Sequence, residues 1–343
     1  MRIAIVNDLA IAVEALRRTV RAIPGAAIAW VARDGAEAVA ACARDRPDLV
    51  LMDLVMPRMD GVEATRQIMR ASPCPVLVVT ASVRGNVGKV YEALGYGALD
   101  AVATPRLGLG GGLEGASELR RKIEMVGALA RDRALAPPVP APSPPASDRA
   151  VIVPPLIAIG ASTGGPRALA EILAALPADL PAAVAVVQHI DRLFAPGLAR
   201  WLDRRTPLSV APLTAPEALR AGHVWVAAGE GHLVVGDDLR LTLVPDPAEH
   251  LHCPSIDIFF ASAAHRLPAR GIGVLLTGMG RDGAHGLLAL RRAGYHTIAQ
   301  DEHSSVVWGM PRAGAEAGGA VEVLPLDQIG ARILALLGGG ARE

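Results

Sequence analysis

Three polar side chains with complementary chemistry follow short apolar runs in the second half of the chain. Ser162 lies within Gly-Ala-Ser-Thr-Gly-Gly-Pro at residues 160–166, His189 follows a run of Ala and Val, and Asp282 lies within Thr-Gly-Met-Gly-Arg-Asp-Gly at residues 277–283. Because the carboxyl ends of parallel strands meet at one edge of a sheet, we expect these residues to converge. A hydroxyl, an imidazole and a carboxylate in contact supply a nucleophile, its base and the group that orients the base. The pattern therefore predicts nucleophilic hydrolysis.

Each of the three residues has another interpretation when taken alone. The Gly-rich segment around Ser162 also suits an anion-binding loop before a helix, for example for a nucleotide phosphate. His189 alone fits a structural or solvated histidine, and Asp282 alone fits a helix N-cap before Ala284. The segment at residues 160–166 lacks the lysine of a P-loop and is not the Gly-x-Ser-x-Gly turn of α/β-hydrolases. The convergence of the three residues is what favours catalysis.

Backbone N–H groups beside Ser162 are candidates for stabilising a negatively charged oxygen. The glycines permit a tight turn, and Pro166 suits the first turn of a helix, so a helix N-terminus with free N–H groups is predicted there. Such groups can stabilise the oxyanion of a tetrahedral intermediate. We therefore expect Thr163, Gly164 and Met279 to form or shape an oxyanion site.

Two carboxylates and a hydroxyl end predicted strands in the first half of the chain. Asp8 follows the first strand, Asp53 ends the third and Thr80 ends the fourth. Mg²⁺ binds few carboxylates together with water and phosphate oxygens, and an aspartate beside it can accept a phosphoryl group. The spacing alone therefore leaves two interpretations open: a phosphoacceptor site built from these side chains, or an Asp53 that merely caps a strand end.

Short apolar runs alternate with amphipathic runs in both halves, which is typical of α/β domains. Nearly uninterrupted apolar strands indicate mainly parallel sheets covered on both faces, so the fold class predicted is two doubly wound domains, the second resembling a Rossmann fold. A Gly-Asp-Asp turn at residues 236–238 predicts a small antiparallel hairpin beside the second sheet. The predicted strands are residues 3–6, 27–31, 49–53, 76–80, 99–103, 156–159, 183–188, 223–227, 272–277 and 297–300, and helices are predicted at 166–176, 256–265 and 284–293.

A Pro-rich segment separates the two halves. Residues 134–150 contain six prolines among Ala, Ser and Val, and such a segment is expected to be an extended, semi-stiff tether. We therefore predict an N-terminal domain over residues 1–125, a helix end and linker over 126–150, and a catalytic domain over 151–343. A Gly-rich loop is predicted within the first domain at residues 108–112.

The overall composition argues against several classes of function. The formal net charge is zero and aromatic residues make up only 3% of the chain, so nothing favours nucleic-acid binding. The cysteine count is odd, at three, which fits a reducing cytosol better than a disulfide framework. No run reaches the roughly 18 apolar residues of a membrane helix. We expect a cytoplasmic protein that neither binds nucleic acid nor inserts directly into a membrane.

Residues 1–125 resemble the response-regulator receiver family. The resemblance depends on Asp8, on Met-Asp-Leu-Val-Met-Pro-Arg-Met-Asp-Gly at residues 52–61, on Thr80 with Ala81, and on Gly-Ala-Leu-Asp at residues 97–100. It implies that Asp53 is phosphorylated, that Asp8 and Asp53 ligate Mg²⁺ and that Thr80 is the switch hydroxyl.

Two positions depart from the receiver pattern. Asn7 replaces the first of two acidic residues, and Thr104 precedes Pro105 where receivers carry a lysine. One carboxylate fewer weakens the attraction for Mg²⁺, and the missing lysine removes a cation that would contact the phosphoryl group. We expect slower or weaker phosphorylation than in a standard receiver. Val-Asn-Asp-Leu at residues 6–9 and the Thr104-Pro105 ending resemble homologues in Wsp-type surface-sensing pathways.

Residues 152–335 resemble the catalytic domain of the CheB chemotaxis protein-glutamate methylesterases. Besides the segments around the serine, histidine and aspartate, the resemblance includes Pro-Ser-Ile-Asp at 254–257, Ala-Gln-Asp-Glu at 299–302 and Gly-Met-Pro at 309–311. The order of receiver, linker and esterase matches as well. Cys253 departs from the family, which usually has arginine before Pro-Ser-x-Asp, and this change affects the expected substrate contacts rather than the triad.

The resemblance implies a reaction and its partners. Ser162 would be the nucleophile, His189 the general base and Asp282 its orienting partner in hydrolysis of glutamate methyl esters on a methyl-accepting chemoreceptor. Deamidation of receptor glutamines is a second reaction that the same geometry would allow. A CheA-type histidine kinase would phosphorylate Asp53 and so relieve a restraint that the receiver domain places on the esterase. The esterase itself would need no cofactor.

Two alternatives to an esterase remain at the level of the sequence. The chain would also fit a non-catalytic adaptor that sequesters the receptor or the kinase, or a receiver domain fused to a nucleotide-binding domain. A zinc site involving His250, His252 and Cys253 is a further candidate, but a fourth ligand with suitable spacing is missing.

Overall fold

The computed structural model describes residues 1–81, 86–107, 113–129, 153–191, 194–246, 252–268 and 271–339. The chain divides into two compact units, Met1–Ala134 and Leu135–Glu343. Most of the predicted linker, the predicted loop at residues 108–112 and His250 lie outside the described residues. Within the described ranges, no helix combines the length and the hydrophobicity that crossing a bilayer requires.

The first unit alternates strands and helices as the sequence predicts. Its strands are β1 (Arg2–Val6), β2 (Ala27–Ala32), β3 (Leu49–Met52), β4 (Val76–Thr80), β5 (Asp100–Ala103), β6 (Arg106–Leu107) and β7 (Leu113–Glu114). Its helices are α1 (Ala10–Arg21), α2 (Gly35–Arg44), α3 (Gly61–Ala71), α4 (Val87–Gly95) and α5 (Ala116–Leu129). Strands β1 to β5 form one sheet in the order β2-β1-β3-β4-β5, with all pairs parallel.

The core of this unit forms where apolar strand residues meet the apolar faces of helices. Leu16 of α1 and Ile123 of α5 pack with Ile5, Leu51 and Val79 of the central strands, and each is at most 1% exposed. Because β1 lies between β2 and β3, the connections leave this part of the sheet in opposite directions. Ligand sites of open parallel sheets form at such reversals, and here the loops after β1 and β3 carry Asp8 and Asp53.

The second unit is a larger domain of the same class. Its strands are β8 (Leu156–Ala161), β9 (Ala183–Gln188), β10 (Ser209–Leu213), β11 (Glu217–Ala218), β12 (His223–Ala227), β13 (His232–Val235), β14 (Arg240–Val244), β15 (Ile272–Leu275), β16 (His296–Gln300) and β17 (Glu322–Leu324). Its helices are α6 (Gly165–Ala174), α7 (Ala195–Asp203), α8 (Ile256–Arg266), α9 (Ala284–Arg292), α10 (Met310–Glu316) and α11 (Leu326–Gly339).

Seven of these strands form a parallel sheet in the order β10-β12-β9-β8-β15-β16-β17. Strand β8 is central, with β9 on one side and β15 on the other, so the connections reverse direction around it. A separate antiparallel sheet, β11-β14-β13, contains the hairpin predicted at residues 236–238, and its turn closes with a hydrogen bond from Gly236 N to Arg240 O of 2.8 Å. The sequence-based fold class is confirmed.

The differences from prediction lie in short and edge elements. The predicted strand at 272–277 ends at Leu275, because Thr277 already turns towards the loop after β8, where its hydroxyl donates to Thr163 O. Strands β10 and β17 at the two edges of the sheet, and helices α7, α10 and α11, were not predicted individually. The β17 sequence is only three residues long and partly exposed, so it carries little apolar pattern.

Candidate functional site

Ser162 and His189 lie side by side at the carboxyl ends of neighbouring strands. Ala161 and Gln188 are partners in the β8–β9 register, so the two residues that follow them leave the sheet together. The His189 N–H donates to Ala161 O at 2.9 Å, and the Gln188 side chain donates to Ser162 O at 2.8 Å. Both strand ends are thereby held together, and Ser162 is 6% exposed.

Asp282 reaches the same edge from the loop after β15. Its Oδ2 lies 2.8 Å from Nε2 of His189, and the two side chains are only 8% and 10% exposed. A carboxylate can only accept, so Nε2 of His189 donates and carries the ring proton in the neutral form. The other nitrogen, Nδ1, is buried and makes no hydrogen bond to any described residue. His189 therefore presents Nδ1 as its proton acceptor.

The first turn of helix α8 surrounds the Asp282 carboxylate with donors. Ser255 Oγ donates to Oδ1 at 2.8 Å, the Ile256 N–H donates to Oδ2 at 2.7 Å and the Asp257 N–H donates to Oδ1 at 3.0 Å. Burial raises the pKa of Asp282, but the hydrogen bond and charge of His189 and the two backbone donors outweigh it and hold the pKa well below its ordinary value. Asp282 therefore remains a carboxylate and orients His189 without taking its proton.

The predicted hydrogen bond between the serine and the histidine is not formed. Ser162 Oγ makes no hydrogen bond to His189 within the described part of the chain. Catalytic hydrogen bonds are often long or poorly aligned in the absence of substrate. The structure thus brings all three predicted residues to one edge and joins two of them directly.

A second imidazole covers the ring of His189. The rings of His189 and His252 stack with centroids 4.4 Å apart and planes 10° from parallel. The sequence suggested His252 only as a possible metal ligand. Its ring instead contacts the face of His189, and Cys253 belongs to a different group of potential ligand atoms, with His232 and Asp246.

Two of the residues predicted to shape an oxyanion site, Thr163 and Gly164, directly follow Ser162, and the third, Met279, lies in the loop after β15. Gly164 precedes α6 with φ of 80°, and among the described residues the N–H groups of Thr163, Gly164 and Met279 donate to no backbone oxygen. The next N–H along the chain, that of Gly165, is already engaged with Ser162 O at 2.8 Å. Donors that face no protein acceptor are what an oxyanion site requires.

Two buried polar side chains, which the sequence reasoning did not select, hold the loop after β15 against the serine loop. Thr277 Oγ1 donates to Thr163 O at 3.0 Å, and Gln300 Oε1 accepts from Thr277 N–H at 2.8 Å. A Cβ added to Gly278 would lie 2.7 Å from Cβ of Ser162, so a side chain there would displace the serine. Gln300 belongs to a motif of the family resemblance, but only distances reveal what it supports.

The candidate phosphoacceptor site lies in the first unit. Asn7 Nδ2 donates to Asp53 Oδ2 at 2.9 Å, and the Leu54 N–H donates to Asp53 Oδ1 at 2.7 Å. Burial raises the pKa of Asp53 to about 6, with a smaller rise from the charge of Asp8 and an opposing effect of the Leu54 and Val55 N–H groups. Asp8 itself is exposed.

These residues fit a Mg²⁺ ion in part. Asp8 and Asp53 supply two carboxylates of the hard-oxygen type that Mg²⁺ prefers. A positive ion would also relieve the charge that burial disfavours on Asp53. The Asn7 amide group, however, already donates a hydrogen bond to one Asp53 oxygen, where a second acidic residue would have added negative charge. The replacement of an acidic residue by Asn7 therefore changes the hydrogen bonding of Asp53 itself.

Thr80 and Thr104 lie at the same end of the first sheet and are both buried, with exposures of 1% and 8%. Asn86 Nδ2 donates to Thr80 Oγ1 at 3.4 Å, whereas Thr104 Oγ1 is without a hydrogen-bond partner among the described residues. Both lysines of the chain are engaged elsewhere: Lys89 pairs with Asp60 at 2.8 Å and Lys122 pairs with Asp100 at 2.9 Å. Neither substitutes for the lysine that Thr104 replaces.

Comparisons with known proteins assign a different family to each half of the chain. Residues 157–333 match the CheB methylesterase family and residues 3–106 match the response regulator receiver domain family. A curated relative from Burkholderia thailandensis, named protein-glutamate methylesterase/protein-glutamine glutaminase 4, is 50% identical over 339 residues, which is 98% of this chain and 98% of the relative. A relative from Mesorhizobium japonicum, named protein-glutamate methylesterase/protein-glutamine glutaminase, is 49% identical over 338 residues, 97% of this chain and 98% of the relative.

A solved structure supports the same assignment. The crystal structure of the Thermotoga maritima CheB methylesterase catalytic domain is 34% identical, covers 54% of this chain and 100% of that domain, and superposes with a TM-score of 0.51. The predicted resemblance is confirmed for both domains, while the resemblance to Wsp-type homologues stays a prediction. With a receiver domain ahead of its esterase domain, the chain belongs to the CheB methylesterase family.

Proposed function

We propose that this enzyme hydrolyses methyl esters of glutamate side chains on a methyl-accepting chemoreceptor, with Ser162, His189 and Asp282 as its catalytic triad. One observation carries the assignment of roles: His189 donates Nε2–H to a carboxylate of depressed pKa and keeps a buried Nδ1 as acceptor. A histidine held in this tautomer is prepared to act as a base.

The reaction starts with Ser162. Its Oγ attacks the ester carbonyl while Nδ1 of His189 takes the hydroxyl proton, and Asp282 stabilises the imidazolium that results. The N–H groups of Thr163, Gly164 and Met279 stabilise the oxyanion. His189 returns the proton to the leaving oxygen, and methanol departs. Water then attacks the acyl-enzyme with His189 again as base, which restores glutamate and the free serine.

The same site is suited to deamidation of a receptor glutamine. An amide passes through the same kind of tetrahedral intermediate, and the imidazolium of His189 would protonate the amide nitrogen, which departs as ammonia, as it protonates the ester oxygen that departs as methanol. The two reactions then differ only in the leaving group. We propose both, in agreement with the names of the relatives reported above.

The receiver domain regulates this activity through Asp53 in our proposal. A CheA-type histidine kinase would donate the phosphoryl group, with Asp8 and Asp53 holding Mg²⁺ and Thr80 as the switch hydroxyl. Mg²⁺ would neutralise charge on the transferring phosphoryl group. The Asn7–Asp53 hydrogen bond and the replacement of a lysine by Thr104 favour phosphorylation slower than in a standard receiver. Receptor and kinase act on the cytoplasmic side in this scheme, so we place the enzyme there.

A substitution at the nucleophile tests the function. Methylated receptor labelled in the methyl group should release methanol with the wild-type chain, and Ser162→Ala should lower kcat at least about a thousand-fold. Ser209→Ala, at the start of an edge strand, serves as a matched control and should release methanol at the wild-type rate. Equal rates for wild type and Ser162→Ala would leave the adaptor alternative, which needs no hydroxyl.

A further inference from the structure

A buried histidine outside the proposed triad contacts Ser255, which in turn contacts the Asp282 carboxylate. His232 begins β13 and is 2% exposed. Its Nδ1 accepts the N–H of Ser255 at 3.0 Å, and its Nε2 lies 3.3 Å from Oδ1 of Asp246. The proposed reaction uses neither His232 nor Asp246.

His232, Asp246 and Cys253 could together bind a metal ion. Each offers a nitrogen, oxygen or sulfur ligand atom, and these atoms lie within 4.8 Å of one another. The hydrogen bond to Ser255 argues against that use. A histidine that binds a metal through Nε2 carries its proton on Nδ1 and donates it. Here Nδ1 is an acceptor of a backbone N–H, so neutral His232 carries its proton on Nε2, the atom that would have to bind the metal.

The same hydrogen bond fixes the residue that contacts the triad. Ser255 is the N-cap of α8, and its Oγ donates to Asp282 Oδ1 at 2.8 Å. Three of the four hydrogen bonds that Asp282 accepts in the described structure come from Ser255, Ile256 and Asp257. The position of the start of α8 therefore determines where the carboxylate lies, and the N–H of Ser255 is held by His232.

We propose that His232 is a positioning residue of the esterase, which acts through Ser255 to hold Asp282 in line with His189. The path runs from His232 Nδ1 to the Ser255 N–H, from Ser255 Oγ–H to Asp282 Oδ1, and from Asp282 Oδ2 to His189 Nε2–H. The inference rests on the proposed function, and it assigns a role to a residue that touches neither substrate nor triad. Since a displacement of about 1 Å can cost about a hundred-fold in rate, loss of this support should affect kcat.

Two amide substitutions in the full chain separate the two nitrogens of His232. His232→Asn places an amide oxygen where Nδ1 accepts from Ser255, whereas His232→Gln places its amide near Nε2 and Asp246. We expect His232→Asn to retain kcat within a few-fold and His232→Gln to lower it ten- to a hundred-fold, with KM unchanged in both. The downfield proton resonance of the His189 Nε2–H should persist in His232→Asn and weaken or shift in His232→Gln.

A second pair of variants covers the case in which His232→Gln does not fold, as judged by its thermal midpoint. Ser255→Ala removes the hydroxyl donor to Asp282 and should lower kcat ten- to a hundred-fold, while Ser255→Thr should keep it near the wild-type value. His296→Leu, which removes an imidazole bonded to Glu322 at the amino end of β16, is the control and should leave kcat unchanged.

The outcomes distinguish this inference from the proposed function. Wild-type kcat in a folded His232→Gln, or in Ser255→Ala where His232→Gln does not fold, with Ser162-dependent methanol release intact, would overturn the positioning role alone. A larger loss in His232→Asn than in His232→Gln would overturn it as well, because the contact with Asp246 would then be the important one. Methanol release that does not depend on Ser162 would overturn the proposed function itself.

Discussion

At the scale of single residues, the chemistry of both domains depends on carboxylates whose surroundings push their pKa values in opposite directions. Asp282 and Asp53 are both largely buried, and burial alone would raise both pKa values. Asp282 accepts enough hydrogen bonds to reverse the effect, whereas Asp53 does not. One carboxylate is thus fixed as an anion, and the other gains from a cation or from covalent modification.

The raised pKa of Asp53 predicts a pH-dependent stability. Its value of about 6 in the folded state lies above the ordinary 3.8, so the folded state binds the proton more tightly. Stability is therefore highest below about pH 4 with respect to this group and falls as pH rises through 6. In the presence of a chelator, Asp53→Asn should raise the free energy of unfolding at pH 7.5 by about 1–2 kcal/mol.

Chemical denaturation of wild type and Asp53→Asn at pH 4 and pH 7.5 would measure this difference. We expect the two proteins to converge at pH 4, where Asp53 is protonated in the folded state. Adding Mg²⁺ at pH 7.5 should stabilise the wild type and not the variant. An unchanged gap between the two proteins across the pH range would contradict the assignment of the effect to Asp53.

The sequence predicted some residues of the candidate site and missed others. Ser162, His189 and Asp282 were predictable because each follows an apolar strand and parallel strands share an edge. The roles of Ser255, His232 and His252 were not, because each depends on a contact between segments that are more than twenty residues apart. The sequence signal at Ser255 was available as an N-cap before α8, but its bond to Asp282 was not.

At the scale of elements, the turn between β8 and α6 is the most constrained part of the esterase domain. Gly164 has φ of 80°, a conformation that costs other residues roughly 1–2 kcal/mol. A Cβ at this position would also lie 2.7 Å from Cβ of Val306. The loop before α10 therefore closes over the serine loop only because residue 164 has no side chain.

Gly164→Ala should consequently lower both stability and activity. We expect a loss of about 2–4 kcal/mol in the free energy of unfolding, from strain at positive φ and from overpacking against Val306. The rate constant kcat should fall as well, because the N–H of residue 164 moves with the turn. Thermal melting and methanol release measure the two effects. Gly338→Ala in α11, where an added Cβ meets nothing within 4 Å, should leave kcat unchanged and should not lower stability, because alanine favours a helix more than glycine does.

The elements themselves were largely predictable from hydrophobic pattern. The strands at 76–80, 183–188 and 223–227 were predicted with the bounds that the structure has. All are buried apolar runs, mainly of Val and Ala, with only their ends polar or partly exposed. Strand β17 and helix α10 were not predicted, because three and seven residues are too few to show a periodic apolar pattern, and both take their conformation from packing on the sheet.

At the scale of the whole molecule, regulation requires that the receiver domain change the rate of a site in another domain. We expect the fragment 151–343 to hydrolyse methylated receptor faster than the unphosphorylated full chain, because the proposed restraint is removed. Treatment of the full chain with acetyl phosphate and Mg²⁺ should raise its rate in the same direction. Asp53→Asn should not respond to that treatment, and Ser162→Ala should remain inactive throughout.

A double variant tests whether the two departures from the receiver pattern slow phosphorylation. Asn7→Asp with Thr104→Lys restores both positions, and it should be phosphorylated faster and to a greater extent than the wild-type chain, as measured by labelling with a phosphodonor. If fragment 151–343 is no faster than the full chain, the receiver domain does not restrain the esterase. If the full chain labels as rapidly as the double variant, the departures at Asn7 and Thr104 have no kinetic effect.

The central position of β8 has a consequence for biosynthesis. Its partner β9 follows closely along the chain, but its other partner pairs Leu275 with Gly160 and is made more than a hundred residues later. Until the ribosome has passed that point, β8 exposes one unpaired, apolar edge, the kind of edge at which chains aggregate. A polypeptide terminated before β15 should therefore fold its receiver domain but leave the esterase part unfolded and prone to aggregation. No partly active esterase should accumulate in the cell.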